Sequence, residues 1–195
     1  MRNVCTVLAA CAAIIAGGVA QADFNLQITE IYHGQENPDP TEDWFELTNF
    51  GDMPWVRAND GALFFDDDSM DPLVADELMG VDEIAPGQSV IFIDDVDTAT
   101  FLNVWSNVSG LTVGTYQGSG LSGGGDGVTL FTGMLNPFPD PPTVGAIIDF
   151  EAYPDPALVG GADGATWDVE LQAYSTVGNL AGAVASVGTG GPGGA

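Results

Sequence analysis

Short runs in which hydrophobic and polar positions alternate recur along the chain, and residues 44–49 form the clearest of them. There Phe45, Leu47 and Asn49 alternate with a second set of side chains, Trp44, Glu46 and Thr48. Alternation with a period of two is typical of a β-strand that turns one face toward a core. The residues that follow, 49–52, are turn formers. The pattern therefore predicts a central strand that ends in a turn.

The other runs bring the predicted total to eight or nine short strands. Residues 24–32 alternate with a slip at Glu30, which indicates a bulge at Thr29-Glu30. Residues 89–93 are almost entirely apolar, which is typical of a strand buried on both faces. Further strands are expected at 53–56, 62–65, 112–117, 128–132, 146–150 and 167–171. Because no strand–helix–strand spacing appears between the runs, the predicted fold class is all-β, with two packed antiparallel sheets.

One segment, 98–107, has the periodicity of a short helix. Asp97 or Thr98 can cap its N-terminus, and Phe101 and Trp105 fall on one face. Such a stripe indicates packing against a core. For the strands, alternation predicts a single core that contains Ile28, Phe45, Leu47, Val90, Phe92 and Leu130.

The first 22 residues have the features of a secretory signal peptide. Arg2 supplies a positive charge, residues 4–20 are mostly apolar and small, and Ala20-Gln21-Ala22 is a small-x-small cleavage site. The stretch is too short and too glycine-rich for a membrane anchor. A lipoprotein site at residues 8–11 is disfavoured, because the apolar run continues past it. The expected organisation is a signal peptide over 1–22, a β-sandwich domain over 23–175 and a Gly/Ala-rich flexible tail over 176–195, in a protein secreted to the periplasm or the extracellular space.

The charge is strongly one-sided, with a formal net charge of −26 at pH 7. Arg57 is the only Lys or Arg after residue 22. Both cysteines lie within the first 22 residues, so the mature chain would have no disulfide. Such an excess of acid disfavours nucleic acid and anionic membranes as partners. Two explanations of the acids remain open. They could form a solubility surface suited to a salty medium, or they could bind divalent cations.

Two acidic runs at predicted strand ends provide the candidate metal ligands. Calcium takes about six to eight oxygen ligands, which suits carboxylates, whereas zinc prefers the Cys and His clusters that this chain lacks. Neither run has the glycine that an EF-hand loop requires at its sixth position. The candidate calcium ligands are Asp66, Asp67, Asp68, Asp94, Asp95 and Asp97.

Aromatic side chains raise the alternative of sugar binding. Trp55, in a short predicted strand, is the tryptophan expected to be most exposed and is the candidate ligand-binding residue, whereas Trp44, Trp105 and Trp167 are expected in the core. His33, the only histidine, lies in a polar loop and is expected to be solvated. No catalytic or cofactor-binding residue is predicted.

Four motifs, in order along the chain, resemble the lamin tail domain family. The match covers about residues 24–153. Residues 28–31 and 43–49 resemble its I-x-E-I strand and W-[IF]-E-L-x-N strand, 84–89 its L-x-P-G-x-x turn, 121–130 its L-S-x-x-G-D-x-V-x-L segment, and 147–153 its closing V-x-D-x-x-x-Y strand.

The resemblance implies an immunoglobulin-like β-sandwich of the secreted bacterial type. Family members of that type occur alone or beside nucleases, phosphatases and surface anchors, and the family has no agreed catalytic residues. The chain departs from the pattern in its longer, more acidic stretch between 66 and 84, and in having no sorting tail after Gly178. We expect a secreted, non-enzymatic interaction or structural module whose partner is an unidentified protein or polysaccharide at the cell surface or in a matrix. The alternatives are a carboxylate-dependent extracellular hydrolase and a calcium-dependent carbohydrate-binding module.

Overall fold

A computed structural model describes residues 23–34, 42–94, 96–105, 110–118, 120–136, 140–161 and 165–178. The described chain is mostly β-strand with three short helices, in sheets that pack as a sandwich, so the predicted all-β class is confirmed. The strands are β1 (Leu26–Tyr32), β2 (Trp44–Asn49), β3 (Trp55–Val56), β4 (Ala62–Asp66), β5 (Asp76–Glu77), β6 (Glu83–Ile84), β7 (Ser89–Asp94), β8 (Thr112–Tyr116), β9 (Gly125–Met134), β10 (Thr143–Pro154), β11 (Ala165–Asp168) and β12 (Ala173–Gly178). The helices are α1 (Arg57–Asp60), α2 (Thr98–Val104) and α3 (Pro156–Val159).

Two large sheets form the layers of the sandwich. The six-stranded sheet has the order β12-β11-β1-β2-β7-β8, and the four-stranded sheet has the order β10-β9-β4-β5. A small third sheet pairs β3 with β6. All of these pairs are antiparallel except β7 with β8, which run parallel because the chain crosses over between them through α2. The sequence spacing predicted antiparallel sheets and did not reveal this parallel pair.

The main core fills the space between the two large sheets. All six residues predicted to meet in one core do so, which confirms the strand registers from which they were chosen. Phe45 of β2 and Phe65 of β4 meet across the sandwich, with ring centroids 5.1 Å apart. The strand predicted over 89–93 is buried on both faces, since Val90 and Phe92 join this core while Ile91 and Ile93 face away from it.

A second apolar cluster lies on the outer face of the six-stranded sheet, the face turned away from the main core. Helix α2 packs Phe101 and Trp105 there against Trp44 of β2 and Tyr32 of β1. Asp97 caps the helix, because its Oδ1 accepts hydrogen bonds from the amides of Ala99 and Thr100. The predicted helix and its packing face are thus present, although the helix ends at Val104.

Several boundaries differ from the predicted ones. The segment between residues 73 and 84, which has no clear alternation, contains the two-residue strands β5 and β6. The last predicted strand, 167–171, is divided by a turn: β11 ends at Asp168 and β12 begins at Ala173. Strand β12 continues to Gly178, three residues past the predicted end of the domain at 175.

Candidate functional site

Aspartates from several strand ends lie at one end of the sandwich, which we call the acidic end. Strands β4, β7 and β8 finish there, and β2, β5 and β9 begin there. Antiparallel and crossover connections bring these ends together although they are far apart in sequence. The residues of the acidic end are Asp43, Asp66, Asp67, Asp68, Asp76, Asp94 and Asp126.

The loop after β4 is shaped by its own carboxylates. One oxygen of Asp66, Oδ2, accepts hydrogen bonds from the Ser69 hydroxyl (2.7 Å) and the Asp71 amide (2.6 Å). Asp67 accepts the Ser69 amide at 2.7 Å, in the manner of an Asx turn. The other oxygen of Asp66, Oδ1, is buried and has no hydrogen-bond partner in the structure. The first two residues of the acidic run therefore organise the loop, and one oxygen of Asp66 remains unsatisfied.

Asp126 joins this loop to the glycine-rich loop before β9. Its Oδ1 accepts the amide of Asp68 at 3.2 Å, and its Oδ2 accepts the amide of Ser122 at 2.8 Å. The negative charge of Asp126, followed by burial and the charge of Asp67, raises the pKa of the exposed Asp68 carboxyl above its usual value. Sequence reasoning did not select Asp126, although the residue lies inside the motif over 121–130 that resembles the lamin tail family.

Asp43 and Asp94 connect the six-stranded sheet to the same end. The Asp94 amide donates to the Asp43 carbonyl at 2.9 Å, and the Asp43 carboxylate accepts the amide of Leu121. The Asp76 carboxylate lies against Gly118, where a Cβ atom would stand 2.5 Å from Asp76 Oδ1. Gly118 also has a φ of +134°. A glycine fits this position because it has no Cβ atom to collide with Asp76 and because it adopts positive φ angles readily.

Two tyrosines lie beneath these carboxylates. Burial first, and then the charges of Asp43 and Asp94, raise the pKa of Tyr116 well above its usual value. The hydroxyl of Tyr116 is fully buried and has no hydrogen-bond partner in the structure. Tyr153 donates from its hydroxyl to the Ser122 carbonyl (2.9 Å), and burial and the charge of Asp126 raise its pKa. The hydroxyl groups of two tyrosines therefore lie beneath the carboxylates of the acidic end.

The six predicted calcium ligands do not all meet. Asp66, Asp67, Asp68 and Asp94 lie at the acidic end, but Asp97 uses its carboxylate to cap α2, and Asp95 is outside the described residues. The Thr100 hydroxyl and amide lower the pKa of Asp97 below its usual value. In the part of the chain that the structure describes, no three Asp, Glu, His or Cys side chains are grouped so that they could hold a metal ion.

Two expectations about exposure are wrong. Trp55 is 0% exposed and packs in the main core, so it offers no face to a sugar; its strand β3 pairs with β6, a pairing that no local pattern indicated. His33 is only 7% exposed, because its ring stacks on Tyr153 with centroids 5.4 Å apart and meets Tyr174 edge-on at 5.9 Å. The single histidine is therefore part of an aromatic cluster.

Comparisons of the chain with family models, curated proteins and solved structures give no match. None of the helices within the described ranges is both long and apolar enough to span a bilayer.

Proposed function

We propose that the protein is a secreted, non-enzymatic interaction module of the lamin tail type, and that its acidic end binds basic side chains of a partner protein at the cell surface or in a matrix. The observation that carries the proposal is the convergence of seven aspartates from five strand ends. A cluster of one sign of charge attracts the opposite sign and raises the rate of encounter with it.

The arginine among the described residues is engaged away from the acidic end. Arg57, the only Lys or Arg among the described residues, forms an ion pair with Glu77 (2.7 Å) and a longer one with Asp82 (3.8 Å). Its guanidinium also donates to the carbonyls of Leu78 and Val81. Arg57 therefore fixes the segment between β5 and β6 and does not neutralise the acidic end. A partner would have to supply the positive charge.

The positions of the family-like motifs support the lamin tail part of the proposal. Residues 28–31 and 43–49 form the paired central strands β1 and β2, and 84–89 form the turn before β7. Residues 121–130 and 147–153 include the paired parts of β9 and β10. Motifs that are separate in sequence thus occupy adjoining structural positions, as members of one family pattern should.

An oligolysine peptide is the probe for the acidic end, with its affinity measured at low salt by fluorescence anisotropy. Asp68→Asn, which removes an exposed charge at the acidic end, should weaken binding about two- to fivefold, the range for one exposed ion pair. Glu83→Gln is the matched control, since Glu83 is exposed on β6 at the opposite end of the sandwich. Equal losses in both variants would show that overall charge, and not the acidic end, determines binding.

The hydrolase alternative makes a different prediction. If the purified protein hydrolyses ester, phosphodiester or glycoside substrates, and Asp126→Asn abolishes this activity, then the protein is an enzyme and the proposal of a non-enzymatic module is wrong.

Calcium is the alternative occupant of the acidic end, and the buried, unsatisfied Oδ1 of Asp66 is the observation that favours it.

A further inference from the structure

Strand β10 is the longest strand in the structure and lies at an edge of the four-stranded sheet. Among the described strands its backbone pairs with β9 alone. Strand β1 packs against β10, and the Ile28 amide donates to Asp149 Oδ2 at 2.7 Å, so Asp149 is engaged with the other large sheet. The residues before Asp149 are more open to solvent, and we call 143–148 the open edge. Its exposed residues are Thr143, Gly145, Ala146 and Ile147.

The open edge differs from the rest of the chain in its chemistry. Its sequence, Thr-Val-Gly-Ala-Ile-Ile, contains no charged residue and no proline, although the chain has a net charge of −26. Between Asp126 and Asp149 the only charged residue is Asp140. Natural proteins commonly protect edge strands with charges or proline, because an edge presents unpaired N–H and C=O groups. The open edge instead has β-branched residues, which favour strand pairing.

Two register shifts in the pairing with β9 shape the open edge. They lie between Val144 and Ile147 and between Ile147 and Asp149. The bulge predicted at Thr29-Glu30 of β1 is present as a shift of the same kind. Bulges bend a strand and increase its twist, which limits the length over which an edge can pair. The open edge is therefore suited to a short contact with one further strand and not to the growth of a fibre.

The open edge lies away from the acidic end. Strand β9 begins at the acidic end and β10 returns to it, so the two strands meet at the far end of the sandwich, where Met134 pairs with Thr143. From Ala146 to its end at Pro154, β10 extends about 26 Å, at about 3.3 Å per residue. That distance is more than two Debye lengths at about 0.1 M salt, where the Debye length is about 10 Å. The open edge is thus an uncharged surface remote from the main concentration of charge.

We propose that two copies of the chain associate through their open edges, which pair as antiparallel strands about a two-fold axis. An exposed edge accepts an extended segment of suitable chemistry, and the open edge of a second copy is an uncharged, β-branched segment of this kind. Each copy uses the open edge of the other, so the assembly closes at a dimer.

Charge also favours this arrangement. Two proteins with the same large charge repel each other, and contact is least unfavourable where neither surface carries a charge. Antiparallel pairing directs the two acidic ends away from each other, about 50 Å apart at about 3.3 Å of rise per residue. The repulsion between the acidic ends is therefore smaller than in a parallel arrangement.

The dimer is expected to be weak and to depend on salt. Stable interfaces bury about 1,200–2,000 Å² in total, and two paired edges of this length bury less. Added salt screens the repulsion between the copies and should strengthen association. A dimer has two acidic ends and could bind two basic partner molecules; this consequence rests on the proposed function, whereas the dimer itself does not.

Sedimentation equilibrium of the purified chain over a range of protein concentrations, at about 0.05 M and about 1 M sodium chloride, tests the dimer. The average mass should rise with concentration toward that of two chains, and more steeply at the higher salt. Ile147→Asp places a charge on both facing edges and should weaken association about tenfold or more, because an unpaired charge opposes edge pairing. Leu158→Asp is the matched control, since it introduces the same charge at a side chain that is 80% exposed on α3.

The control should associate as the wild type does. A wild type that stays monomeric at every concentration and salt would overturn the proposal, as would a dimer that Ile147→Asp leaves intact. Equal losses in Ile147→Asp and Leu158→Asp would also overturn it, because added charge at any position would then have the same effect.

Hydrogen exchange of the wild type locates the contact without a variant. At the higher salt, amides of 143–148 should exchange more slowly as the protein concentration rises, whereas those of β12, at the edge of the six-stranded sheet, should not change. Protection that appears on β12 and not on 143–148 would place the interface at another edge. Amides of 143–148 that exchange at one rate at every concentration would show that a second copy does not cover them, and either result refutes the dimer proposed here.

Discussion

Leu47 shows what a single residue contributes to this fold. It lies on β2, the strand between β1 and β7, is fully buried, and packs in the main core. Burying a leucine side chain removes apolar surface from water, and the close packing around it leaves little room for the structure to relax after truncation.

Leu47→Ala should therefore lower the free energy of unfolding by about 2–5 kcal/mol, the range for leucines truncated in a core. Urea denaturation measures the loss. Leu73→Ala is the matched control, because Leu73 is 90% exposed and its truncation should change stability by less than about 0.5 kcal/mol. A loss below about 0.5 kcal/mol for Leu47→Ala would mean that the register of β2 is shifted by one residue.

Residue-level chemistry also shows where the sequence was insufficient. The alternation around Leu47 is local, so its burial was predictable from its neighbours alone. The burial of Trp55 depends on the pairing of β3 with β6, and that of His33 on stacking with Tyr153, which is 120 positions away in the chain. Contacts between distant segments of this kind leave no periodic signal in a short window of sequence.

At the scale of the element, β7, α2 and β8 form a unit that combines predictable and unpredictable parts. The apolar run of β7 and the cap and stripe of α2 were readable, because each depends on spacing within one segment. The parallel pairing of β7 with β8 was not predictable in this way. A crossover helix is usually recognised by strands that lie close to it on both sides, whereas residues 105–111 separate α2 from β8. The acidic end is likewise a product of topology: its strand-end runs were recognised, but Asp43, Asp76 and Asp126 join them only through the fold.

The cap of α2 gives a prediction that depends on pH. Asp97→Ala removes the acceptor for the Ala99 and Thr100 amides and should lower the melting temperature at neutral pH. The pKa of Asp97 is lowered in the fold, so its contribution is present above the ordinary pKa of Asp and is lost as pH falls through the lowered value. Asp97→Asn keeps a capping oxygen but cannot titrate.

Melting curves of the two Asp97 variants and the wild type at neutral and strongly acidic pH distinguish these effects. The advantage of the wild type over Asp97→Ala should shrink at the acidic value, whereas the advantage of Asp97→Asn over Asp97→Ala should remain. If the wild-type advantage is the same at both values, the Asp97 carboxylate does not cap α2 through its charged form.

For the whole molecule, charge is the dominant property. A net charge of −26 means that folding draws many like charges closer than they are in the unfolded chain, which opposes the compact state at low salt. The acidic end shows this cost locally, since the negative charge of Asp126 raises the pKa of Asp68. Salt and cations should therefore act on stability more strongly than they do for a protein of balanced charge.

Monovalent salt and divalent cations together separate a diffuse acidic surface from a specific calcium site. Raising salt shortens the Debye length from about 30 Å at 0.01 M to about 3 Å at 1 M, so sodium chloride should raise the melting temperature broadly.

Because no three acids among the described residues are grouped to hold a metal, we expect millimolar calcium and magnesium to give similar shifts in melting temperature at equal ionic strength. A specific site would instead give a saturable rise with calcium beyond that with magnesium, since the larger ion accepts a flexible cage of about seven or eight oxygens. A calcium-specific shift abolished by Asp67→Ala or Asp95→Ala, and retained in the control Glu83→Gln, would establish a specific calcium site and refute the diffuse surface.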